Sequence, residues 1–425
     1  MTPRADPLHQ VTIIGASVAG VSVARGLRAE GFDGEIVLVS AEREWPYDRP
    51  PLSKQVLCGD WDVSRTALLT EAEAASLRLD VLLGQPARHL DIAGRQVVLT
   101  ERTAVPFGTC VIATGAFARP APWPPVPGMD VLRTLQDAVR LRERFATGGH
   151  VAVIGGGFIG AEVASAARSL GLSVTMIDPL PRPMERVVGP EGADLFAALA
   201  ARGGVELRLG VGVERVRPAG DDVELMLSDG AVVVARTAVV GIGAIPNDTW
   251  VAESGLLVAD GIVCDEFCRA VGAEGIYAAG DVARWYHPDL GTHVRVEHWT
   301  NAVEQAQCVA HNIAHPADLR PHSAVPYVWT DQHGWKLQVV GQPWRGVGHE
   351  VVGEVSPAHD RPRGIFVYAD APGRVIGAMS INWPRGLAEC RRAIRAQVDA
   401  QAVVRRLGEH LAEGVQRAKI GGGRG

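Results

Sequence analysis

The sequence predicts an α/β fold with two Rossmann-like strand–helix–strand modules and a C-terminal α+β domain. Three observations carry that prediction. Residues 10–40 run from four β-branched positions, Val11 to Ile14, through a turn at Gly15 into a helix bearing Val18, Val21, Ala24 and Leu27, then into a second strand, Ile36 to Val39. That is the pattern of a parallel βαβ unit. The same grammar returns at 150–178, HVAVIGGGFIGAEVASAARSLGLSVTMID, which marks a duplicated module rather than a solenoid repeat. Beyond 325 the pattern changes: VPYVWTD, WKLQVVG and GIFVYADAPGRVIGAMSINW read as sheet strands, followed by an Ala/Arg helix from about 385 to 410.

A chain of 425 residues, 47% hydrophobic, is too long for one core. The Pro-rich stretch ARPAPWPPVPGMD at 118–130 continues neither a helix nor a central strand and is expected to be a domain crossing. Short alternating runs over 205–240 suggest an antiparallel meander. The expected organisation follows. Residues 1–116 and 246–325 form the first nucleotide-binding domain in two parts, 117–245 the second, and 326–412 the C-terminal domain. Residues 413–425, ending in KIGGGRG, form a flexible tail.

Charged residues make up 21% and the net charge is −6. This is globular composition, and it argues against a nucleic-acid binder. No uncharged apolar run reaches the ~18 residues of a membrane span, and the N-terminus carries no signal-peptide pattern. The six cysteines are scattered without a C-x-x-C, which fits a reduced, cytoplasmic protein. Only three lysines, Lys54, Lys336 and Lys419, stand against 39 arginines, so a lysine inside a motif is conspicuous.

Gly15-Ala16-Ser17-Val18-Ala19-Gly20 lies between strand and helix, where a dinucleotide fingerprint must lie. Gly15 serves the tight turn and Gly20 the close packing of helix on strand, while the helix N-terminus offers free N–H groups to a pyrophosphate. Ser17 replaces the middle glycine. The carboxylate expected after the second strand is displaced to Glu42, a candidate ribose contact. The second motif is complete: Gly155, Gly157 and Gly160 fill all three positions, and Asp178 ends the next strand. A carboxylate there accepts from a ribose 2′-hydroxyl and repels a 2′-phosphate, favouring NADH over NADPH. Arg182 and Arg186 point the other way. Two such modules imply two nucleotides, one a bound flavin and the other an exchanging nicotinamide.

Several motifs, in order over most of the chain, resemble the ferredoxin, putidaredoxin and rubredoxin reductase family of pyridine-nucleotide–flavin reductases. They are Tyr47-Asp48-Arg49-Pro50-Pro51-Leu52-Ser53-Lys54, Ala113-Thr114-Gly115, Gly241 to Asn247, Tyr277-Ala278-Ala279-Gly280-Asp281, VRVEHWTNAVEQA from Val294, and Val328-Trp329-Thr330-Asp331-Gln332. The resemblance implies FAD in contact with Ala19, Lys54, Arg133, Asp281 and Trp299, with Arg49, Ala113, Thr114, Gly115, Gly280 and Glu297 in the matching motifs. It implies NADH as electron donor and a ferredoxin-type iron–sulfur protein as partner, with no nucleic acid and no membrane, in a monomer or weak dimer. Two departures stand out: Ala41 where the family is acidic, and Tyr327 where it often carries Trp. The C-x4-C pair of the superfamily's disulfide reductases is also missing, since EREWPYDRPPLSK is followed by Cys58 alone. A thiol relay has no second sulfur.

The catalytic candidates are Lys54, a cation for the flavin edge, Glu162, placed to pair with it, and Trp329, placed to stack near the flavin or nicotinamide. Each has a plainer alternative: a surface lysine, a carboxylate favoured at a helix N-terminus, and core packing. His311 and His315 share a helix face, but Asn312 stands where a zinc protease needs Glu, so no metal is expected. Cys264 and Cys268 lack partner ligands. A proton role for His293 or His298 is open. The arginines of 385–406 are either a solvated face or an attractor for an acidic ferredoxin. Two other functions compete: direct reduction of oxygen, quinone or nitrite, and a redox-gated interaction protein resembling apoptosis-inducing factor.

Overall fold

The computed structural model describes residues 9–100 and 103–421, with side chains as far as 412. The chain divides into two compact units. One comprises residues up to Arg49, Asp62–Phe117 and Ala244–Ala324; the other comprises Pro50–Trp61, Ala118–Gly243 and the chain from Val325 on.

The first unit is built on a five-stranded parallel sheet in the order Ile276–Ala278, Thr109–Ile112, Gln10–Ile14, Glu35–Val39, Leu79–Leu82. Every residue of Gln10–Ile14 is buried, because both faces of a parallel sheet are covered. One face meets helix Val18–Ala29, through Val21, Val23, Ala24 and Leu27, and helix Trp299–Ala314. The other meets a three-stranded antiparallel sheet, His89–Asp91, Gln96–Thr100 and Thr103–Pro106, through Leu90, Val97, Leu99 and Val105.

The second unit repeats the plan in its parallel sheet, Val205–Leu209, Ser173–Asp178, His150–Ile154, Thr237–Val240, Met129–Asp130, crossed by helix Phe158–Ser169. The meander expected over 205–240 is shorter than its alternation suggests. Only Val213–Ala219, Asp222–Leu227 and Val232–Ala235 form it. Val205–Leu209 alternates because it is the half-exposed edge of the parallel sheet. The unit's C-terminal part is a five-stranded antiparallel sheet, Tyr327–Gln332, Trp335–Gly341, Val375–Ile381, Gly364–Ala369, Gly348–Gly353.

Three further expectations differ from what is found. The single Ala/Arg helix is two, Pro384–Arg395 and Ala400–Gly421, broken where Gln397 adopts a left-handed φ of 51°. The second helix carries helical backbone through Gly421 into the stretch expected to be a tail, since LAEGVQRAK is rich in helix formers; residues 422–425 lie outside the described residues. Residues 50–61 group with the second unit rather than with the rest of 1–116. There Gln55–Cys58 packs on helix Leu135–Ala146.

Buried histidines make this fold sensitive to acid. His322 is 4% exposed, bonded through Nε2 to Asn301 Oδ1 at 3.1 Å. Burial, with a contribution from His287, pushes its pKa down to about 3. Burial and Arg168 likewise push His333 down to about 4. In the unfolded chain both titrate near 6.5. Below that pH the unfolded state binds more protons, so stability falls as pH drops. Urea denaturation should show a lower midpoint at pH 5 than at pH 7, His322 alone contributing roughly 2 kcal/mol. The His322→Gln variant should lose part of this slope. A midpoint unchanged across that window would refute the assignment.

Candidate cofactor and redox site

In the first unit the glycine turn is shaped by backbone crowding. Gly15 has φ of 112°, and a β-carbon there would overlap the Ala113 carbonyl oxygen. A β-carbon at Gly20 would overlap the Gly15 carbonyl oxygen. Ser17 is the N-cap of helix Val18–Ala29, but its side chain makes no capping bond. Ala19 lies beside Gly280, whose added β-carbon would meet Ala19 Cβ at 3.1 Å. The Gly280 amide donates to Gln305 Oε1 at 2.8 Å. Thr114 Oγ1 donates to the Asn247 carbonyl at 2.8 Å, and Asn247 Nδ2 donates back to the Thr114 carbonyl at 2.9 Å. Asn247 N reaches the Gly115 carbonyl.

Glu42 is engaged by its own neighbours: Tyr47 Oη donates to it at 2.5 Å and Arg49 Nη2 at 2.7 Å. Burial opposes the charge on Arg49, but Tyr47, Glu42 and Asp281 outweigh it and raise its pKa. Trp299 Nε1 donates to Asp48 Oδ1 at 2.7 Å. Glu297 is exposed and paired with Arg295 at 2.5 Å, and the same guanidinium reaches the Asp281 carbonyl at 3.3 Å. Desolvation pushes His298 down to about 4, with Asp281 pulling the other way.

In the second unit Gly155 has φ of 105°, and a β-carbon on it would overlap the Gly241 carbonyl oxygen; one on Gly160 would overlap that of Gly155. Asp178 is buried and braces the loop: Oδ2 accepts from Gly156 N at 2.6 Å and Oδ1 from Leu180 N at 2.8 Å. Arg182 is drawn to Asp194 at 2.7 Å and Arg186 is exposed. Arg133 precedes helix Leu135–Ala146, its amide donating to Asp137 Oδ2 at 3.1 Å.

The same unit brings Lys54 and Glu162 together. Lys54 Nζ lies 2.7 Å from Glu162 Oε2, the side chains 12% and 4% exposed. Two residues that the sequence reading did not assign complete the cluster. Ser53 Oγ donates to Glu162 Oε2 at 2.5 Å, and Thr330 Oγ1 donates to Oε1 at 2.7 Å. Gln332 Nε2 donates to Thr330 at 3.0 Å. Period-2 geometry on strand Tyr327–Gln332 aims Thr330 at Glu162 and turns Trp329 to the opposite face, where its ring stacks on Tyr327 at 6.0 Å. Ser53 and Thr330 both stand inside quoted motifs; the signal was their adjacency to Lys54 and Trp329.

The residues present fit two nucleotides. At Gly157 an added β-carbon would meet nothing nearer than the Gly241 carbonyl oxygen at 4.0 Å, and φ is an ordinary −72°. Protein packing does not demand glycine there; close approach of a pyrophosphate does. In the first unit His298 Nδ1 is buried without a hydrogen-bond partner, and such an atom calls for a partner the protein does not supply.

The family "Pyridine nucleotide-disulphide oxidoreductase" matches residues 9–306, and "Reductase C-terminal" matches 327–406. The chain is similar to the rhodocoxin reductase of Rhodococcus erythropolis, 36% identical over 392 residues, 91% of this chain and 90% of that one. It is 36% identical to the ferredoxin–NAD(+) reductase component of the anthranilate 1,2-dioxygenase system of Burkholderia cepacia, covering 92% and 95%. This chain belongs to the ferredoxin, putidaredoxin and rubredoxin reductase family. Among solved structures, the covalent putidaredoxin reductase–putidaredoxin complex matches with a TM-score of 0.85 and 31% identity over 93% of this chain and 95% of that one. Like its family, this reductase is an oxidoreductase that uses FAD and NADH. Its six cysteines are free thiols.

The open cradle at Gly157 makes a specific forecast. Gly157→Ala should leave the thermal midpoint unchanged while weakening NADH binding about tenfold, ~1.4 kcal/mol. Equal NADH affinity, read by titration of the two proteins, would remove Gly157 from the nucleotide site.

Proposed function

We propose that this reductase passes electrons from NADH, by way of bound FAD, to a ferredoxin-type iron–sulfur carrier that feeds an oxygenase, either a haem-thiolate monooxygenase or a Rieske dioxygenase. The observation that carries the reading is that the stretch expected to contact the flavin holds a buried charge pair and no pair of thiols. In EREWPYDRPPLSK and just beyond it, Lys54 pairs with Glu162, and Cys58, the one thiol there, faces Ser169 Oγ at 3.4 Å. Electrons therefore leave without a protein thiol. The relatives' names support the class of acceptor.

Bound FAD supplies the conversion between hydride transfer and single-electron transfer. Gly15, Ser17, Ala19, Gly20, Ala113, Thr114, Gly115, Gly280 and Asp281 hold it, with Glu42, Arg49, Arg133, Glu297 and Trp299 assigned to its periphery. Gly155, Gly157, Gly160 and Asp178 hold NADH. Lys54 presents a fixed positive charge, Glu162 fixes it, and Trp329 offers an aromatic face. The domain assignment follows: FAD with 1–116 and 246–325, NADH with 117–245, and 326–412 as the C-terminal domain. We assign a cytoplasmic protein, monomeric or weakly dimeric; among the described residues no helix is long and apolar enough to cross a membrane. Exposed Arg385, Arg392, Arg395, Arg405 and Arg406 give the C-terminal helices a basic field suited to an acidic carrier.

NADH-driven reduction of cytochrome c should rise many-fold when a [2Fe–2S] ferredoxin is added, and the gain should shrink with salt. Equal rates with and without several ferredoxins, despite fast flavin reduction, would favour direct reduction of a small acceptor. Lys54→Ala should retain FAD but slow flavin reduction by roughly 100-fold, the scale of one lost electrostatic contact. Thr330→Val should do so more mildly, and Thr330→Ser should restore the rate. Unchanged stopped-flow traces for Lys54→Ala would exclude it from the chemistry.

A further inference from the structure

The spacing of His311 and His315 offers only two ligands on one helix face, and the fold adds a third. Glu30, the C-cap of helix Val18–Ala29, places Oε2 at 2.9 Å from His315 Nε2 and 3.4 Å from His311 Nδ1. One ligand atom from each of the three residues lies within 4.8 Å of the others. We propose that Glu30, His311 and His315 form a binding site for a divalent metal ion of the zinc class.

The surroundings of His311 are those of a metal ligand. Its side chain is 6% exposed. Nε2 faces acceptors: the Asp318 carbonyl oxygen at 2.9 Å and the Asp318 carboxylate at 3.5 Å. Nδ1 lies on the side of the Glu30 carboxylate, 3.4 Å from Oε2. Nδ1 has no hydrogen-bond partner. A divalent cation between them would give both Nδ1 and the carboxylate an electrostatic partner. Metal-binding histidines commonly donate their other N–H to a carbonyl or carboxylate in this way.

The spacing also suits the ion. Ligands at ~2.0–2.1 Å from a tetrahedral zinc are about 3.3 Å apart; Glu30 Oε2 lies 3.4 Å from His311 Nδ1 and 2.9 Å from His315 Nε2, where the two are hydrogen-bonded in the metal-free arrangement. Two nitrogens and one carboxylate oxygen select zinc, cobalt or nickel over magnesium and calcium. Position adds to this. Glu30 and His315 are the C-cap residues of their helices, so two partially negative helix ends converge on the site. The helices are held close by Gly26, where a β-carbon would come within 2.7 Å of Ala310 Cβ. Glu30 and His315 are 34% and 44% exposed, which leaves the fourth position open to water. The bound ion would cross-link the two helices at the end opposite the Gly15–Gly20 turn and Trp299.

The FAD-loaded full chain, cleared of metal with EDTA, should bind one Zn2+ per chain by calorimetry. Zn2+ should raise its thermal midpoint, and Mg2+ should not. His315→Ala and Glu30→Gln should each weaken Zn2+ binding at least about tenfold with FAD content unchanged. Should a variant fail to fold, the visible spectrum of the wild-type Co2+ complex reports tetrahedral nitrogen ligation directly. No saturable zinc, or equal binding by wild type and His315→Ala, would overturn the proposal.

Discussion

Two backbone segments meet at each glycine turn with no room for a side chain between them. At Gly15 the obstacle is the Ala113 carbonyl, and at Gly155 it is the Gly241 carbonyl. In both units the helix then folds back so closely that Gly20 and Gly160 lie against the carbonyl of the turn's first glycine. This contact sets the height of the helix over its sheet. It also sets the direction of the free N–H groups of the first turn, the groups proposed to meet a pyrophosphate. The cofactor sites depend on it, because a helix displaced by one β-carbon would carry its N-terminus out of reach.

The second constraint is a buried charge pair. Taking Lys54 and Glu162 out of water costs several kcal/mol per ion, and their attraction offsets this only if the remaining hydrogen-bonding capacity is used. Ser53 and Thr330 use it, one on each carboxylate oxygen. Three residues from two separated stretches of chain are thereby tied to the Glu162 carboxylate. Such a cluster contributes little net stability, but it holds a cation at one place in a water-poor setting, where a fixed charge acts most strongly. The stacked Tyr327 and Trp329 share a strand with Thr330, so the aromatic face and the carboxylate anchor are positioned by one element.

Much of this was legible in the chain. Both βαβ units follow from β-branched runs, glycine turns and helical apolar spacing, all local signals. The pairing of Lys54 with Glu162 was foreseen because both stood in motifs. Other features were not local. Val205–Leu209 alternates like a meander strand, yet joins the parallel sheet as its edge, since half-exposure gives the same pattern in either setting. The break at Gln397 has no proline or glycine to announce it. Glu42 follows the second strand, where a ribose contact was expected, but Tyr47 and Arg49 hold it.

The sequence by itself determined the two βαβ modules with their glycine turns, the absence of a C-x4-C thiol pair and the presence of Lys54 inside a motif. These depend on residue types at short spacing, where steric need and chemistry act within one turn of chain. Only the tertiary structure decided which distant groups converge: Thr330 on Glu162, Asn247 on Thr114, Glu30 on His311 and His315. Such pairings are set by how sheets and helices stack, and a hydroxyl or carboxylate carries no local mark of the partner that packing will bring to it.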